Sequence, residues 1–458
     1  MSRPSLLARL RGRRAARRDR RRRRGPAFTQ RGVALIAVAT ALTILAVLSK
    51  EFATNTQVDA FGADNARDQM RAEFLARSSL DLSELILRLQ QVLDNPQVQQ
   101  AIGAVQITDY ADLLMSAFGG TAEEVAGTVG STGEKPKGLG ADIGAFGVRI
   151  VSDDGKINVN CANGKREYSQ LVYTLVEALY YFPAFDPVFQ DPAVDGSPSG
   201  WRRDRATQTQ AIIDYIDEDS TKVSPPGEPP ANVAEDYGYE GLRDKYRAKN
   251  NYLDTLDELK LVRGVDDRFW TLFGPAFTVY GGCKLNVRAL EDPRIIAAII
   301  FLTAKNKEDP AVRDGNLLWM HAQAVAWARQ NGFFFNSTQD FVDFVKDPEG
   351  QLGAGLTDPS GQGGSGGSTQ APTIQIPGVP PGVDLGVELD PTEVDKILRA
   401  GPQRTYRLEV WGEITRQPPF TPLHREMTAV WDMGTVNVNQ RSTDAKARNG
   451  AWVYLRSK

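Results

Sequence analysis

The chain has few of the residues on which most catalytic and metal sites depend. Its 458 residues include two cysteines and two histidines, and the sequence has no zinc-binding cysteine pair, phosphate-binding glycine loop, zinc-protease helix or serine-hydrolase elbow. A histidine-based triad has only His321 and His424 to draw on. The sequence therefore favours a structural role, and we expect that the chain is not an enzyme.

Charge is distributed unevenly along the chain. Residues 1–31 hold thirteen arginines and one acid, a net charge of +12, so the rest carries −15 within a total of −3. Residues 33–48 then carry no charge. As a helix this run spans about 24 Å, close to the ~30 Å core of a bilayer once flanking residues such as Phe52 extend it. The arginines predict that the N-terminal end stays cytoplasmic.

Three interpretations of this segment compete. A secretory signal would be cut after the apolar run, where residues 58–60 are a poor site, and a plain anchor would stay whole. The third is cleavage before the run, between Gly32 and Val33, as in prepilin-like signals. We favour the third because the helical pattern continues: only Gly62 and no proline interrupts residues 61–93, and leucines recur there at helical spacing.

Beyond this helix the pattern changes from strands to helices and back to strands. Phe146, Val148 and Ile150 alternate with other residues, and the turn residues at 152–156 predict a hairpin to a second strand at 156–160. Further segments have helical periodicity, and two late segments have strand alternation. The predicted helices are 110–118, 171–182, 207–215, 255–262, 267–273, 295–305, 317–330, 339–345 and 392–398, and the late strands are 406–412 and 427–433.

These patterns predict an α+β fold: a long N-terminal membrane-spanning helix, a small antiparallel sheet and a large inserted all-helical domain. Six segments follow, namely an arginine-rich leader (1–32), the N-terminal helix (33–95, with 33–53 transmembrane), the first part of the sheet domain (96–164), the inserted helical domain (165–348), a Gly/Ser/Pro linker expected to be flexible (349–385) and the strands that complete the sheet domain (386–458).

Four motifs, in this order along the chain, resemble the minor pseudopilin K family of type II secretion systems (general secretion pathway protein K). They are the prepilin-type start at 31–36 (RGVALI), the run DGKINVN at 154–160, the run IDYIDED at 213–219, and LDELKLVRGV at 256–265 followed by KLNV at 284–287. Arg288 and Ala289 depart from the family pattern after the last motif, and the leader is unusually rich in arginine.

The resemblance implies a function and a set of partners. Family members have a pilin-like fold with an inserted helical domain, and they cap the tip of a periplasmic pseudopilus together with minor pseudopilins I and J. A prepilin peptidase cleaves and methylates the precursor. The chain is then a single-pass protein of the bacterial inner membrane with its body in the periplasm, where it contacts secretion cargo or the outer-membrane channel. A type IV minor pilin and a membrane-anchored periplasmic enzyme or binding protein are the alternatives.

The fifth residue after the predicted cleavage site is Ala37, where most pseudopilins have glutamate. That glutamate neutralises the N-terminal amine of a neighbour in the apolar filament core, since an unpaired buried charge is costly. A subunit at the tip has no neighbour above it, so alanine is permitted there. The missing charge at Ala37 thus agrees with a position at the tip.

Two further sites have alternative interpretations. Asp214, Asp217 and Asp219 offer oxygens for calcium, which the family is reported to bind, or they are a solvated helix end. Cys161 and Cys283 form a disulfide, which a periplasm permits, or they are two buried thiols. We expect no cofactor other than calcium. We also expect no nucleic-acid partner, because the arginines at 11–24 are removed with the leader and the body is acidic.

Overall fold

The computed structural model describes residues 27–95, 97–99, 105–119, 144–189, 203–229, 232–235, 237–241, 244–357, 378–380, 383–416, 421–436 and 449–457. Contacts divide the chain into two compact units, Met1–Arg71 and Ala72–Lys458. Most of the predicted leader (residues 1–26) and of the linker (358–377) lies outside the described residues.

The strands, numbered along the chain, are β1 (Ala145–Ser152), β2 (Ile157–Asn158), β3 (Phe277–Thr278), β4 (Leu285–Asn286), β5 (Leu398–Arg399), β6 (Thr405–Ile414), β7 (Leu423–Val436) and β8 (Asn449–Ser457). The α-helices are α1 (Ala27–Leu93), α2 (Ala111–Gly119), α3 (Arg166–Leu179), α4 (Asp186–Phe189), α5 (Arg205–Asp214), α6 (Asp267–Phe273), α7 (Pro293–Thr303), α8 (Pro310–Arg313), α9 (Gly315–Gln330), α10 (Thr338–Lys346), α11 (Pro348–Thr357) and α12 (Pro391–Ile397).

The first unit contains the N-terminal part of α1, whose residues 32–67 are all exposed. In the second unit α1 packs on a sheet, and small residues allow a close approach. The Ser79 hydroxyl donates to the Gly147 carbonyl oxygen at 2.7 Å. A Cβ at Gly412 would lie 2.3 Å from the Ala72 carbonyl oxygen. The helix therefore rests directly on the backbone of the sheet.

Four antiparallel strands form this sheet in the order β1-β6-β7-β8. Alternating residues of β1, β6 and β7 are buried against α1, as period-2 patterning requires, and with the buried face of α1 they form one hydrophobic cluster. The predicted long helix and small antiparallel sheet are confirmed. The expected hairpin after β1 is wrong, because β1 pairs with β6, Val148 opposite Val410, and β2 lies outside this sheet.

The residues that suggested a hairpin turn instead lead the chain out of the sheet. Asp153 and Asp154 are buried, with Asp153 paired to Arg407 at 2.8 Å and Asp154 to Arg399 at 2.5 Å. A Cβ at Gly155 would lie 1.9 Å from the Ala289 carbonyl oxygen. The turn is thus buried between the sheet and the helical part, and its acids are fixed by ion pairs that the local sequence does not reveal.

Two short parallel strand pairs close the helical part into two successive lobes. β2 pairs with β3 and encloses the first lobe, residues 157–278. β4 pairs with β5 and encloses the second lobe, residues 285–399. Both lobes contribute to one large hydrophobic cluster.

The two lobes begin and close in the same way. Asn158 is the last residue of β2, its side chain accepts from the Asn160 backbone N–H, and its amide donates to the Gly281 carbonyl oxygen at 2.9 Å. Asn286 is the last residue of β4, and its side chain accepts from the Arg288 backbone N–H and donates to the Gly401 carbonyl oxygen at 3.0 Å. The two lobes of the helical part therefore share the same opening and closing contacts.

The boundaries of the helical part differ from those expected. It extends past residue 348, because residues 348–357 are helix α11, and α12 packs on α7 and α10 although 392–398 were assigned to the sheet domain. The end of the expected linker is also ordered: Val387 donates its backbone N–H to the Val345 carbonyl oxygen at 3.0 Å. Strand β8 lies within the region expected to complete the sheet (386–458), but it was not among the individual strands predicted there.

Candidate functional site

The start of α1 contains the predicted processing site. α1 includes the one segment among the described residues that is long and apolar enough to cross a membrane, with a mean hydropathy of 2.4 over 18 residues. Gly32, Val33 and Ala37 lie on this helix and are exposed. A Cβ at Gly32 would meet no atom within 4 Å, so packing gives no reason for a glycine at this position.

A second candidate site lies where α5 ends in the first lobe. Carboxylate oxygens of Asp214, Asp217 and Glu235 all lie within 4.8 Å of one another. Asp214 ends the helix, Asp217 follows one turn later, and a bridge between Thr221 and Ala234 brings Glu235 alongside. The three carboxyl groups form what we call the acidic group.

The structure places the predicted residues in different roles. Asp214 is fully buried, and its carboxylate accepts from the Val223 backbone N–H at 2.9 Å and from the Tyr237 hydroxyl at 2.6 Å. Asp219 is exposed and accepts from the Thr221 backbone N–H at 2.7 Å. Asp219 is therefore a turn residue outside the acidic group, and Glu235 takes the third position.

Three side-chain oxygens around the acidic group have no hydrogen-bond partner although they are shielded from solvent. They are Asp217 Oδ1, Glu235 Oε1 and Asn250 Oδ1. Buried acceptors without a donor are rare and costly. Such a set of oxygens lacks a positive partner.

The carboxyl groups of Asp214, Asp217 and Glu235 also have raised pKa values, because they are buried close to one another and to Asp219. Burial, and then the charges of Asp214, Glu235 and Asp219, raise the pKa of Asp217 to about 8. Burial and the charges of Asp214 and Asp219 raise the pKa of Glu235 to about 8. Burial raises the pKa of Asp214 to about 6. Like charges this close cannot all ionise unless a cation compensates them.

The donor set fits a hard cation. Calcium prefers carboxylate and carbonyl oxygens and takes six to eight of them, water included. Asp214, Asp217 and Glu235 supply carboxylates, and Asn250 supplies an amide oxygen. Asp217 lines an open cleft of about 440 Å³, whose other lining residues fall within 162–170 and 218–224.

The two cysteines lie beside this cleft. Cys161 and Cys283 form a disulfide with Cα atoms 5.6 Å apart. Cys161 belongs to the 3-10 turn Val159–Asn163, whose residues Ala162 and Asn163 line the cleft. Of the two alternatives for these cysteines, the structure contains the bonded pair.

Neither histidine belongs to the acidic group or lines the cleft. His321 is fully buried within α9, and neither ring nitrogen has a hydrogen-bond partner. Burial lowers the pKa of His321 to about 4. His424 lies half exposed on β7 between Glu413 and Glu426. The described residues thus bring no carboxylate–histidine–nucleophile arrangement to either ring.

Sequence reasoning missed Glu235 and Asn250. They stand 18 and 33 residues after Asp217, outside the motif that drew attention to the aspartates. Asn250 adopts a φ of 44°, a backbone conformation that asparagine tolerates better than most residues. In the sequence, however, an asparagine after a basic run gave no reason to predict that Asn250 belongs to the site.

Comparisons with known proteins agree with the sequence motifs. Residues 196–282 match the family described as "Type II secretion system (T2SS), protein K". A chain of the crystal structure of the GspK-GspI-GspJ complex from the enterotoxigenic Escherichia coli type 2 secretion system is also similar. It has 13% identity and a TM-score of 0.37, and the match covers 69% of this chain and 80% of that one. No curated protein is significantly similar.

The matched region spans the whole of α5, the acidic group, α6 and β3. It therefore includes the motifs at 213–219 and 256–265 on which the resemblance depended. The resemblance is confirmed, since residues 196–282 match the type II secretion system protein K family.

Proposed function

We propose that the chain is a minor pseudopilin of a type II secretion system and that it caps the tip of the periplasmic pseudopilus. The observation that carries this proposal is the protein K domain, at residues 196–282, inserted into a sheet domain on which α1 packs. The same helix contains the membrane-competent segment. The role is one of position and assembly, with no catalytic step.

The membrane orientation follows from charge. The thirteen arginines before Gly32 remain on the cytoplasmic side of the inner membrane. The body then lies in the periplasm, an oxidising compartment in which the Cys161–Cys283 disulfide is stable. A prepilin peptidase removes the leader and methylates the new N-terminus at Val33.

The tip position follows from two features. Ala37 offers no carboxylate to a neighbour's N-terminal amine, so a subunit below another in the filament core would leave that amine unpaired. The two helical lobes occupy residues 157–399, more than half of the chain. A body of this size is accommodated more readily at the end of a helical stack than within it.

The proposed partners are other pseudopilins, and the C-terminal part of α1 offers a surface for them. Leu85, Leu89 and Val92 are 63%, 51% and 58% exposed. Their spacing places them on one helix face. Minor pseudopilins I and J, which the protein K family implies, would cover this stripe with their own N-terminal helices.

Calcium is the proposed ion of the acidic group. Asp214, Asp217, Glu235 and Asn250 would hold it, and its charge would compensate three carboxyl groups that cannot all ionise without it. Bound calcium would fix the loops around residues 214–235 in the first lobe. Terbium luminescence excited through Tyr237, with competition by calcium, tests this site. An Asp217→Asn variant should lose the signal.

The processing site is tested with a matched pair of glycine variants. Gly32→Val should leave the precursor uncut, whereas Gly62→Val lies on the same helix with equal space around its Cβ and should be processed normally. Mass spectrometry of the purified chain reads the N-terminus. A mature wild-type protein that begins anywhere other than Val33 would contradict the proposal.

A further inference from the structure

The disulfide holds the turn that borders the acidic group. Cys161 is 6% exposed within the turn Val159–Asn163. Its bond to Cys283 spans a separation of 122 residues and fixes this turn to the segment between β3 and β4. The turn that lines the cleft together with Asp217 is thereby covalently anchored.

Asn160 transmits this anchoring to the neighbouring loop. Its amide Nδ2 donates to the Leu253 carbonyl oxygen at 2.9 Å and to the Val279 carbonyl oxygen at 3.0 Å. Its Oδ1 accepts from the Leu253 backbone N–H at 2.7 Å. Tyr252 adds a bond from its hydroxyl to the Asn163 carbonyl oxygen at 3.3 Å. Residues 252–253 are therefore held to the turn at both backbone polar groups of Leu253.

Asn250 continues the connection into the acidic group. Its backbone N–H donates to the Tyr215 carbonyl oxygen at 3.0 Å. Its side-chain Nδ2 donates to the Asp219 carbonyl oxygen at 2.9 Å and lies 3.5 Å from Glu235 Oε2. The free Oδ1 of Asn250 is one of the three oxygens without a partner. A continuous set of bonds thus runs from the disulfide to Glu235.

We propose that the Cys161–Cys283 disulfide, acting through Asn160, sets the calcium affinity of the acidic group. This inference rests on the proposed calcium site. Without an ion nothing bridges the three carboxyl groups, so the segments that carry them depend on other contacts for their positions. The disulfide and Asn160 hold them before the ion arrives, so binding does not have to order the loops.

Asn160 and the disulfide are positioning groups, since neither offers an atom to the ion. Supporting residues that orient metal ligands typically change affinity by 10- to 100-fold when they are replaced. The chain with oxidised cysteines should therefore bind calcium about 10- to 100-fold more tightly than a chain without the bond.

The experiment compares calcium titration calorimetry of the full chain in detergent for the wild type, Cys161→Ser/Cys283→Ser and Asn160→Ala. Both variants should weaken calcium binding by about 10-fold or more. Hydrogen exchange should also become faster at residues 250–254 in both. Asn160→Ala keeps the disulfide, so it decides the question if the double variant does not fold.

The matched control is Asn286→Ala, which removes the side-chain amide that closes the second lobe. It should lower the melting temperature and leave calcium affinity unchanged, separating a positioning effect from general loss of stability. Wild-type affinity in folded Asn160→Ala and double-cysteine variants would overturn the inference and leave the calcium site standing. No calcium binding by the wild type would instead overturn the site itself, and the inference with it.

Discussion

One buried histidine makes the stability of the helical part depend on pH. His321 is neutral in the folded chain because its pKa is lowered to about 4 by burial, but it takes up a proton near pH 6.5 when the chain unfolds. The unfolded state then binds more protons between these values, so stability falls as pH falls from about 6.5 to about 4. A shift of this size corresponds to about 3 kcal/mol.

We therefore expect His321→Leu to remove most of this acid sensitivity. Free energies of unfolding, measured at pH 7 and pH 4.5 in saturating calcium, should differ less in the variant by about 2–3 kcal/mol. The other histidine supplies the control, because His424 is half exposed and His424→Ala should behave as the wild type. Equal acid sensitivity in His321→Leu and wild type would contradict the assignment.

The acidic group has the opposite dependence when no ion is bound. Asp217 and Glu235 have pKa values of about 8 in the folded chain and near 4 in the unfolded chain. The folded state then holds more protons between these values, so the calcium-free chain loses stability as pH rises from about 4 to about 8.

The double variant Asp217→Asn/Glu235→Gln should remove this loss. We expect about 1–2 kcal/mol between pH 5 and pH 8, less than the full shifts imply because both residues are partly exposed to solvent. Calcium should likewise abolish the loss in the wild type. Glu218→Gln, an exposed neighbour, is the control. Chemical denaturation with a chelator present measures the difference.

Residue-level features were predictable only where the local sequence contains them. Asp214 and Asp217 stand three residues apart at a helix end, so their proximity follows from helical geometry. Glu235 joins them through the bridge between Thr221 and Ala234, which is a tertiary pairing. Asp219 also has a carboxylate that could bind a cation, but this carboxylate accepts a hydrogen bond from the Thr221 backbone N–H within its own turn.

At the level of elements, α1 combines a buried face with an exposed apolar stripe. Leu87 is fully buried against the sheet, whereas Leu89 is 51% exposed. Several exposed apolar side chains on one helix face form a surface that can pack against another helix. The stripe of Leu85, Leu89 and Val92 is such a surface on the second unit.

Leu89→Lys should therefore weaken co-purification with pseudopilins I and J while changing the free energy of unfolding by less than about 0.5 kcal/mol. Leu87→Ala should do the reverse and cost about 2–5 kcal/mol through the cavity it creates. Pull-down from membranes and denaturation of the isolated chain measure the two effects. Normal recovery of both partners with Leu89→Lys would place the interface elsewhere.

Helices were predicted well and short strands were not, for a physical reason. Helical periodicity is local, and α6 and α9 lie within two residues of their predicted ends. β2 to β5 have two residues each, too short for alternation to show. β8 is an edge strand with an exposed side, so its pattern is weak as well.

At the scale of the whole molecule, the similarity of the two lobes is visible in the sequence. Lys156-Ile157-Asn158-Val159 opens the first lobe and Lys284-Leu285-Asn286-Val287 opens the second. The repetition of lysine, a branched apolar residue, asparagine and valine corresponds to the strand and asparagine cap that start each lobe. Comparing the two runs would have predicted the duplicated architecture.

A tip position predicts stoichiometry. Purified pseudopili should contain about one copy of this chain per filament, because Ala37 cannot pair with the amine of a subunit above it. Counting of fluorescently labelled chains against filament length tests this. Copy number that rises in proportion to length would exclude a cap, since it would place the chain throughout the filament.

The two lobes are inserted between β1 and β6, which are neighbours in the sheet, and this fixes the order in which the molecule is completed. The hydrogen bond from the Ser152 hydroxyl to the Thr405 carbonyl oxygen joins residues 253 positions apart, so β1 is synthesised long before the strand that pairs with it. Until β6 follows, the edge of β1 offers unpaired backbone groups to other strands. A chain interrupted within its lobes would therefore expose this edge and be prone to aggregate.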